Sequence, residues 1–273
     1  MLDYFGKDAT ELKNKKLWLF DMDGTIYKDN CLFGGAKELL ETIDDLDGKY
    51  VFITNNSSKS VYDYVIRMKN LGITVDEDNF FTSAQATILW LKRNVPKAKV
   101  YCQGTESFVK ELNDSGIDVT EEVEPVDVAL VGFDTELTTA KIRKTCEILS
   151  TQNVRYIATN QDLACPASFG FVPDCGSICA MLENATNKRP LYIGKPNPDM
   201  VDIMRSKFDK SPDETVVVGD RLYTDIAVGI NAGVSSICVL TGEATIDEIN
   251  DGDIKPMYTF DSVKDVYRCI MNE

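Results

Sequence analysis

The chain has 273 residues, 44% of them hydrophobic and 27% charged, which is ordinary globular composition and enough for one large domain or two smaller ones. Its 44 acidic and 29 basic side chains leave a net charge of −15, which repels nucleic acid polymers and anionic membranes, so a phosphate would have to be held locally by a cation, a lysine or backbone N–H groups. There is no histidine, which excludes histidine-dependent acid phosphatases, Ser-His-Asp hydrolases and histidine-ligated zinc, and favours an all-carboxylate site for a hard ion such as Mg²⁺.

Strand and helix signals alternate along the chain, the pattern of a doubly wound α/β fold. Met1–Lys16 is polar, without an apolar signal core, and no run reaches transmembrane length. Leu17–Phe20 is wholly apolar and reads as a strand buried on both faces of a parallel sheet. Asp21-Met22-Asp23-Gly24-Thr25 follows it. Helix Gly35–Ile43 and strand Tyr50–Thr54 come next, the latter leading into Thr54-Asn55-Asn56-Ser57, then helix Val61–Asn70 with Gly72 just past its end. Helices are expected at Ser83–Arg93, Ser107–Asp114 and Thr138–Ser150, and strands at Val100–Cys102, Asp127–Val131 and Arg155–Ala158. The segment Asn160–Gly176 reads as a loop, after which Pro173-Asp174-Cys175-Gly176 opens a further helix. Strand Leu191–Ile193 precedes Gly194-Lys195-Pro196, and Pro198 stands in the first turn of helix Pro198–Phe208. Strand Thr215–Val218 leads into Gly219-Asp220-Arg221, followed by helix Thr224–Ala232, strand Ser236–Leu240 and helix Val263–Met271.

Polar residues at the ends of apolar strands concentrate at 21–25, 54–57 and 194–225, with more than a hundred residues between the second and third groups. The intervening stretch has its own strand–helix alternation and reads as an inserted α/β domain, 84–190. Residues 1–83 and 191–273 then form a discontinuous core domain. Val131-Gly132-Phe133-Asp134 followed by Thr159-Asn160 echoes Phe20-Asp21 followed by Thr54-Asn55. Glu136 replaces the second aspartate, so the echo is one of strand-end architecture. The eight cysteines contain no CxxC pair, and free thiols without a secretory signal point to the cytoplasm.

Taken singly, each polar group has an ordinary reading: an Asp-Gly turn, a helix-capping polar turn, a surface lysine, an acid favoured at a helix start. Taken together they make a complete set for phosphoryl chemistry. Asp21, on a rigid strand end, could attack phosphorus, and Asp23 could protonate the leaving oxygen and later deprotonate water. Thr54, Asn55 and Asn56 could grip phosphate oxygens without adding charge. Lys195 could balance the nucleophile, and Asp21, Asp220 and the backbone carbonyl of Asp23 could hold Mg²⁺ with Asp225 behind them.

On these motifs the chain resembles the haloacid dehalogenase (HAD) superfamily of phosphohydrolases. Asp21–Thr25 is similar to its first motif, Thr54-Asn55-Asn56 to its second, Lys195 to its third and Gly219–Ile226 to its fourth. Ile53–Ser58, Ala158–Asp162, Gly194–Pro198 and Leu240-Thr241-Gly242 resemble the NagD / 4-nitrophenylphosphatase family of subclass IIA. The resemblance implies a Rossmann-like parallel-sheet core with a large α/β cap, and a Mg²⁺-dependent phosphatase of small metabolites, of the sugar phosphate or nucleoside monophosphate class. It implies an aspartyl-phosphate on Asp21, acid/base action by Asp23, and phosphate binding by Thr54, Asn55 and Lys195. It also implies that the Asn160–Gly176 loop faces the substrate. Asp162 is then either a specificity residue or an acid that fixes the cap backbone. Cys165 stands where the vertebrate pyridoxal phosphatase branch has a histidine. Many members pair through the cap, so a homodimer is the state the resemblance suggests, although no self-complementary patch stands out in the residues. The rival readings are a phosphotransferase or phosphomutase on the same core, and a non-enzymatic binder of phosphorylated ligands, for which Asp23 would have no use.

Overall fold

The computed structural model describes residues 1–167 and 169–271, so Ser168 of the expected 160–176 loop lies outside the described residues. The chain divides into two compact units. One comprises Met1–Ile53, Val65–Phe81 and the chain from Lys195 onward; the other comprises Thr54–Tyr64 and Thr82–Gly194. Among the described residues no helix is long and apolar enough to cross a membrane.

The first unit is built on a six-stranded sheet in the order Tyr258–Phe260, Ser235–Val239, Thr215–Gly219, Leu17–Phe20, Lys49–Thr54, Phe80–Thr82. All four side chains of Leu17–Phe20 are apolar and buried, which only a strand covered on both faces can achieve. Its neighbours run parallel to it, with Leu19 opposite Val217 on one side and Val51 on the other. The chain first fills one edge of the sheet and later returns to fill the other, so strand order reverses at Leu17–Phe20. At such a switch point the connections beyond the strand carboxyl ends part and leave a crevice. Parallel pairing puts Asp21 and Asp220, which follow adjacent strands, on that same edge.

Helix Ala36–Asp45 turns Ala36, Leu39, Leu40 and Ile43 inward, one stripe of a 3.6-residue period. Helix Val263–Met271 does the same with Val263, Val266, Cys269 and Ile270. Trp18 and Phe20 stack with ring centroids 5.9 Å apart, and full burial of a phenylalanine side chain contributes roughly 1.5–3 kcal/mol.

The second unit carries a five-stranded parallel sheet in the order Leu191–Tyr192, Arg155–Ala158, Val128–Val131, Lys99–Gln103, Asp118–Thr120. Alternate residues serve alternate faces. Val100, Cys102, Val128 and Leu130 pack with Ile88, Leu91, Phe108 and Leu112 of helices Ser83–Asn94 and Glu106–Asp114. Tyr101, Ala129 and Val131 pack with Ile148, Ile178 and Leu182 of helices Thr139–Thr151 and Cys175–Thr186.

Burial on helix Glu106–Asp114 pushes the Glu111 carboxyl up from its ordinary 4.5 to about 7. The folded state therefore favours the protonated acid. That contribution to stability is whole below pH 4.5 and is lost as pH rises through about 7. Glu111→Gln removes the cost of the buried charge. Its thermal midpoint should exceed that of the unaltered protein by about 2 °C at pH 8 and match it at pH 4.5.

Several short strands escape the sequence reading, among them the two-residue antiparallel pair Tyr27–Lys28 and Cys31–Leu32. Phe80–Thr82, Asp118–Thr120 and Tyr258–Phe260 are three residues each and lie at sheet edges, too short to show a period. The segment read as a loop contains an antiparallel hairpin, Ala164–Ala167 with Gly170–Pro173, whose prolines are tolerated because the ribbon has only two strands. Helix Ile246–Asp251, closed by a Thr245–Glu248 capping box, was also unread. The helix expected at Thr224–Ala232 is instead a π-helical turn, Leu222–Ile226, followed by α-helix Ala227–Asn231.

Candidate active site

Asp21, Lys195, Asp220 and Asp225 meet at the carboxyl edge of the first sheet. Lys195 is 2% exposed, and its Nζ donates to Asp21 Oδ1 at 2.7 Å, to Asp225 Oδ1 at 2.6 Å and to the Ile53 carbonyl at 3.0 Å. Three acceptors satisfy the three ammonium protons. Burial disfavours that charge, yet Asp21 and Asp225 outweigh it and hold the ammonium above the usual lysine range. Burial raises the Asp21 carboxyl well above its ordinary value; Lys195 opposes this, while Asp225 and Asp220 add to it.

Asp220 is pushed up to about 7 by burial and by the charge of Asp225. Its Oδ2 accepts from the Glu243 N–H at 2.8 Å and its Oδ1 from the Thr25 hydroxyl at 3.4 Å. Backbone closes in around it: a Cβ at Gly24 or at Gly242 would collide with its carboxylate. Gly24 has φ +87°, the left-handed region, and its carbonyl accepts from the Thr241 hydroxyl at 2.6 Å.

The π-helical turn aims Asp225. The N–H groups of Asp225 and Ile226 both donate to the Arg221 carbonyl, at 3.0 and 3.1 Å, which widens the turn. Asp225 Oδ2 accepts in return from the Arg221 N–H at 3.1 Å, while Oδ1 serves Lys195. Gly219 keeps the facing backbone clear, since a Cβ there would overlap the Asp225 side chain.

Asp21, Asp220 and Asp225 each offer an oxygen within 4.8 Å of the others. Three carboxylates against one ammonium leave this buried cluster short of positive charge. Hard oxygen donors are what Mg²⁺ takes, so the residues present fit such an ion.

Asp23 sits one step away, on a turn in which the Met22 carbonyl accepts from the Thr25, Ile26 and Tyr27 N–H groups and Gly24 N–H donates to the Tyr27 carbonyl. Its side chain is about half exposed, unlike its buried neighbours. Tyr27 Oη donates to Asp23 Oδ2 at 3.3 Å, and Arg67 lies 3.6 Å from Oδ1. Neither Tyr27 nor Arg67 was expected, because nothing in the sequence signals that helix Val61–Asn70 reaches this turn. Thr25 and Thr241 lie inside the quoted motifs, but their hydroxyl contacts depend on the loops meeting.

The other expected residues belong to the second unit. Thr54 Oγ1 accepts from the Asn56 N–H at 3.1 Å, and Asn56 Oδ1 accepts from the Ser58 N–H and hydroxyl at 2.9 and 2.7 Å. Asn55 Nδ2 donates to Asp162 Oδ1 at 2.9 Å, and the Asn55 carbonyl accepts from Asn160 Nδ2 and Ser83 Oγ at 2.7 and 2.6 Å. Asp162 is buried; its N–H donates to Asn160 Oδ1, and its carbonyl accepts from the Gly176 N–H. The Asp162 carboxylate thus bonds the Asn55 side chain, and its own backbone groups tie Asn160 to Gly176. Cys165, on the hairpin, packs against the apolar core of this unit. Asp134 of the echoed motif forms an ion pair with Lys141 at 3.1 Å and accepts from the Glu136 N–H at 2.9 Å, a local fixture.

A Haloacid dehalogenase-like hydrolase model matches residues 18–118, and a HAD-hydrolase-like model matches residues 192–266. The chain is 32% identical to the acid sugar phosphatase of Staphylococcus saprophyticus, over 94% of this chain and 98% of that protein. It is 34% identical to the ribonucleotide monophosphatase NagD of Escherichia coli, over 90% and 96%. Among solved structures it is similar to the 4-nitrophenylphosphatase of Thermotoga maritima, with TM-score 0.90 and 37% identity, covering 95% of this chain and 99% of that one. It is also similar to a glycerol phosphate phosphatase of Mycobacterium tuberculosis crystallised with magnesium, with TM-score 0.87 and 27% identity, covering 95% and 79%.

Proposed function

The chain belongs to the haloacid dehalogenase-like hydrolases, in their NagD-like branch, and from that premise we propose that it hydrolyses phosphomonoesters of small metabolites through an aspartyl-phosphate on Asp21. The observation that carries the reading is the buried Lys195 ammonium shared between Asp21 and Asp225, with Asp220 beside them. Such a cluster, short of positive charge, suits a hard cation and a phosphoryl group held beside it.

Lys195 holds Asp21 Oδ1, leaving the second oxygen for the bond to phosphorus. As that bond forms, the ester P–O bond breaks, and Asp23 gives its proton to the departing oxygen. Asp23 then takes a proton from water, whose oxygen attacks the phosphorus of the acyl-phosphate. Inorganic phosphate leaves and the Asp21 carboxylate returns. Asp225 keeps Lys195 in place throughout. Mg²⁺ held by the carboxylates of Asp21 and Asp220 and the carbonyl of Asp23 would neutralise phosphoryl charge. Thr54, Asn55, Asn56 and Lys195 are assigned the phosphate. Residues 1–83 and 191–273 are assigned the hydrolase core. Residues 84–190 are assigned the choice among sugar phosphates and nucleoside monophosphates, with Asp162 setting the loop and Cys165 among its lining. Eight cysteines without a disulfide suit a reducing compartment, the cytoplasm.

Purified protein with Mg²⁺ should release phosphate from 4-nitrophenyl phosphate and from members of a metabolite panel. Chelation by EDTA should lower that rate by about 10²-fold or more, with restoration by added Mg²⁺. Undiminished turnover in EDTA would sink the metal assignment, and no turnover on any ester would sink the enzyme.

A further inference from the structure

We infer that Tyr27 and Arg67 are positioning residues that set the rotation of the Asp23 carboxylate for proton transfer to the leaving oxygen. The inference rests on the phosphatase reading and deepens it. Asp23 is the exposed member of the site, and a half-exposed carboxylate on a short side chain rotates freely about Cβ–Cγ unless both its oxygens are engaged. Here they are: Tyr27 Oη donates to Oδ2 at 3.3 Å, and Arg67 lies 3.6 Å from Oδ1.

Both contacts come from fixed groups. Tyr27 is fully buried and belongs to the same hydrogen-bonded turn as Asp23. Arg67, on helix Val61–Asn70, stands over the Tyr27 ring with its guanidinium carbon 4.3 Å from the centroid, and donates to the Asp29 carbonyl at 2.6 Å. One arginine thus reaches the ring that holds one oxygen, the Asp29 carbonyl in the turn beyond it, and the other oxygen itself. Its Nε is buried with no hydrogen-bond partner among the described residues. An unsatisfied buried donor is costly, a cost that a leucine or methionine kept only for packing would avoid. The guanidinium is therefore present for what its Nη2 does, which reaches both the Asp29 carbonyl and Asp23 Oδ1.

Only the step in which the leaving oxygen needs a proton should depend on this orientation, which separates positioning from general support of the fold. The test is kcat/KM on aryl phosphates of one shape and rising leaving-group basicity, from 4-nitrophenyl to 4-methoxyphenyl phosphate, for Tyr27→Phe, Arg67→Met and Arg67→Lys. Tyr27→Phe deletes one hydroxyl and keeps the buried ring, so folding is preserved in at least that variant. Tyr27→Phe and Arg67→Met should lose about tenfold or more on the methoxy ester and within about threefold on the nitro ester. Arg67→Lys should recover part of the loss. An equal loss across the series, or none, overturns the inference while leaving the phosphatase reading intact. No turnover of any ester by the unaltered protein overturns both.

Discussion

Asp21→Asn is expected to reduce phosphate release by about 10⁴-fold or more while leaving the protein folded. An amide of the same shape cannot donate the electron pair that forms the acyl-phosphate, and among the described residues the neighbouring carboxylates are otherwise engaged. Asp225 is committed to Lys195 and the Arg221 N–H, and Asp220 to the Glu243 N–H and Thr25. The fold should tolerate the change because Lys195 keeps Asp225 as its counter-ion. Burial already disfavours the Asp21 charge, so a neutral group there should hold or slightly raise the thermal midpoint. Phosphate release and thermal unfolding, measured on one preparation, check both halves. A rate within tenfold of the unaltered protein would rule out covalent catalysis by Asp21.

Lys195→Met is expected to fail on both counts. Removing the ammonium leaves Asp21 and Asp225 facing each other in a buried site, and breaking a buried pair from one side costs about 3–5 kcal/mol. For a chain of this size that lowers the thermal midpoint by roughly 10 °C. Activity should fall by about 10³-fold, since the same ammonium steadies both nucleophile and phosphoryl group. The double variant Lys195→Met/Asp225→Asn separates the two effects. It removes one of the stranded charges, so it should regain most of the lost stability and none of the lost rate. Recovery of rate would mean that Lys195 acts only through the charge of Asp225.

What was legible beforehand divides by physical cause. Leu17–Phe20 and Thr215–Val218 announced themselves because a strand covered on both faces is a run of apolar residues and nothing else. The acids at their ends were legible for the same reason, since a carboxylate closing such a run needs an explanation. The edge strands Asp118–Thr120 and Tyr258–Phe260 were not, being three residues long. The 164–173 hairpin hid behind its two prolines and strand residues none of which is fully buried. The π-helical turn has no propensity signature; it depends on two N–H groups sharing the Arg221 carbonyl. Arg67 was unreadable in principle, because its neighbours Tyr27 and Asp23 come from a turn some forty residues earlier. Asp162 stood out within its motif, but its bond to Asn55 spans more than a hundred residues and shows only in three dimensions.

The pairing of Leu17–Phe20 with Thr215–Gly219 makes the backbone a ruler. Adjacent strands lie about 4.8 Å apart wherever they are hydrogen-bonded, whatever their side chains. Asp21 and Asp220 follow directly on two such strands, so the gap that their carboxylates must bridge is one lattice step of the sheet. The calibration of the site is thus independent of how well the core is filled. Substitutions at Leu19 or Val217 would drain stability long before they changed the distance on which the chemistry depends.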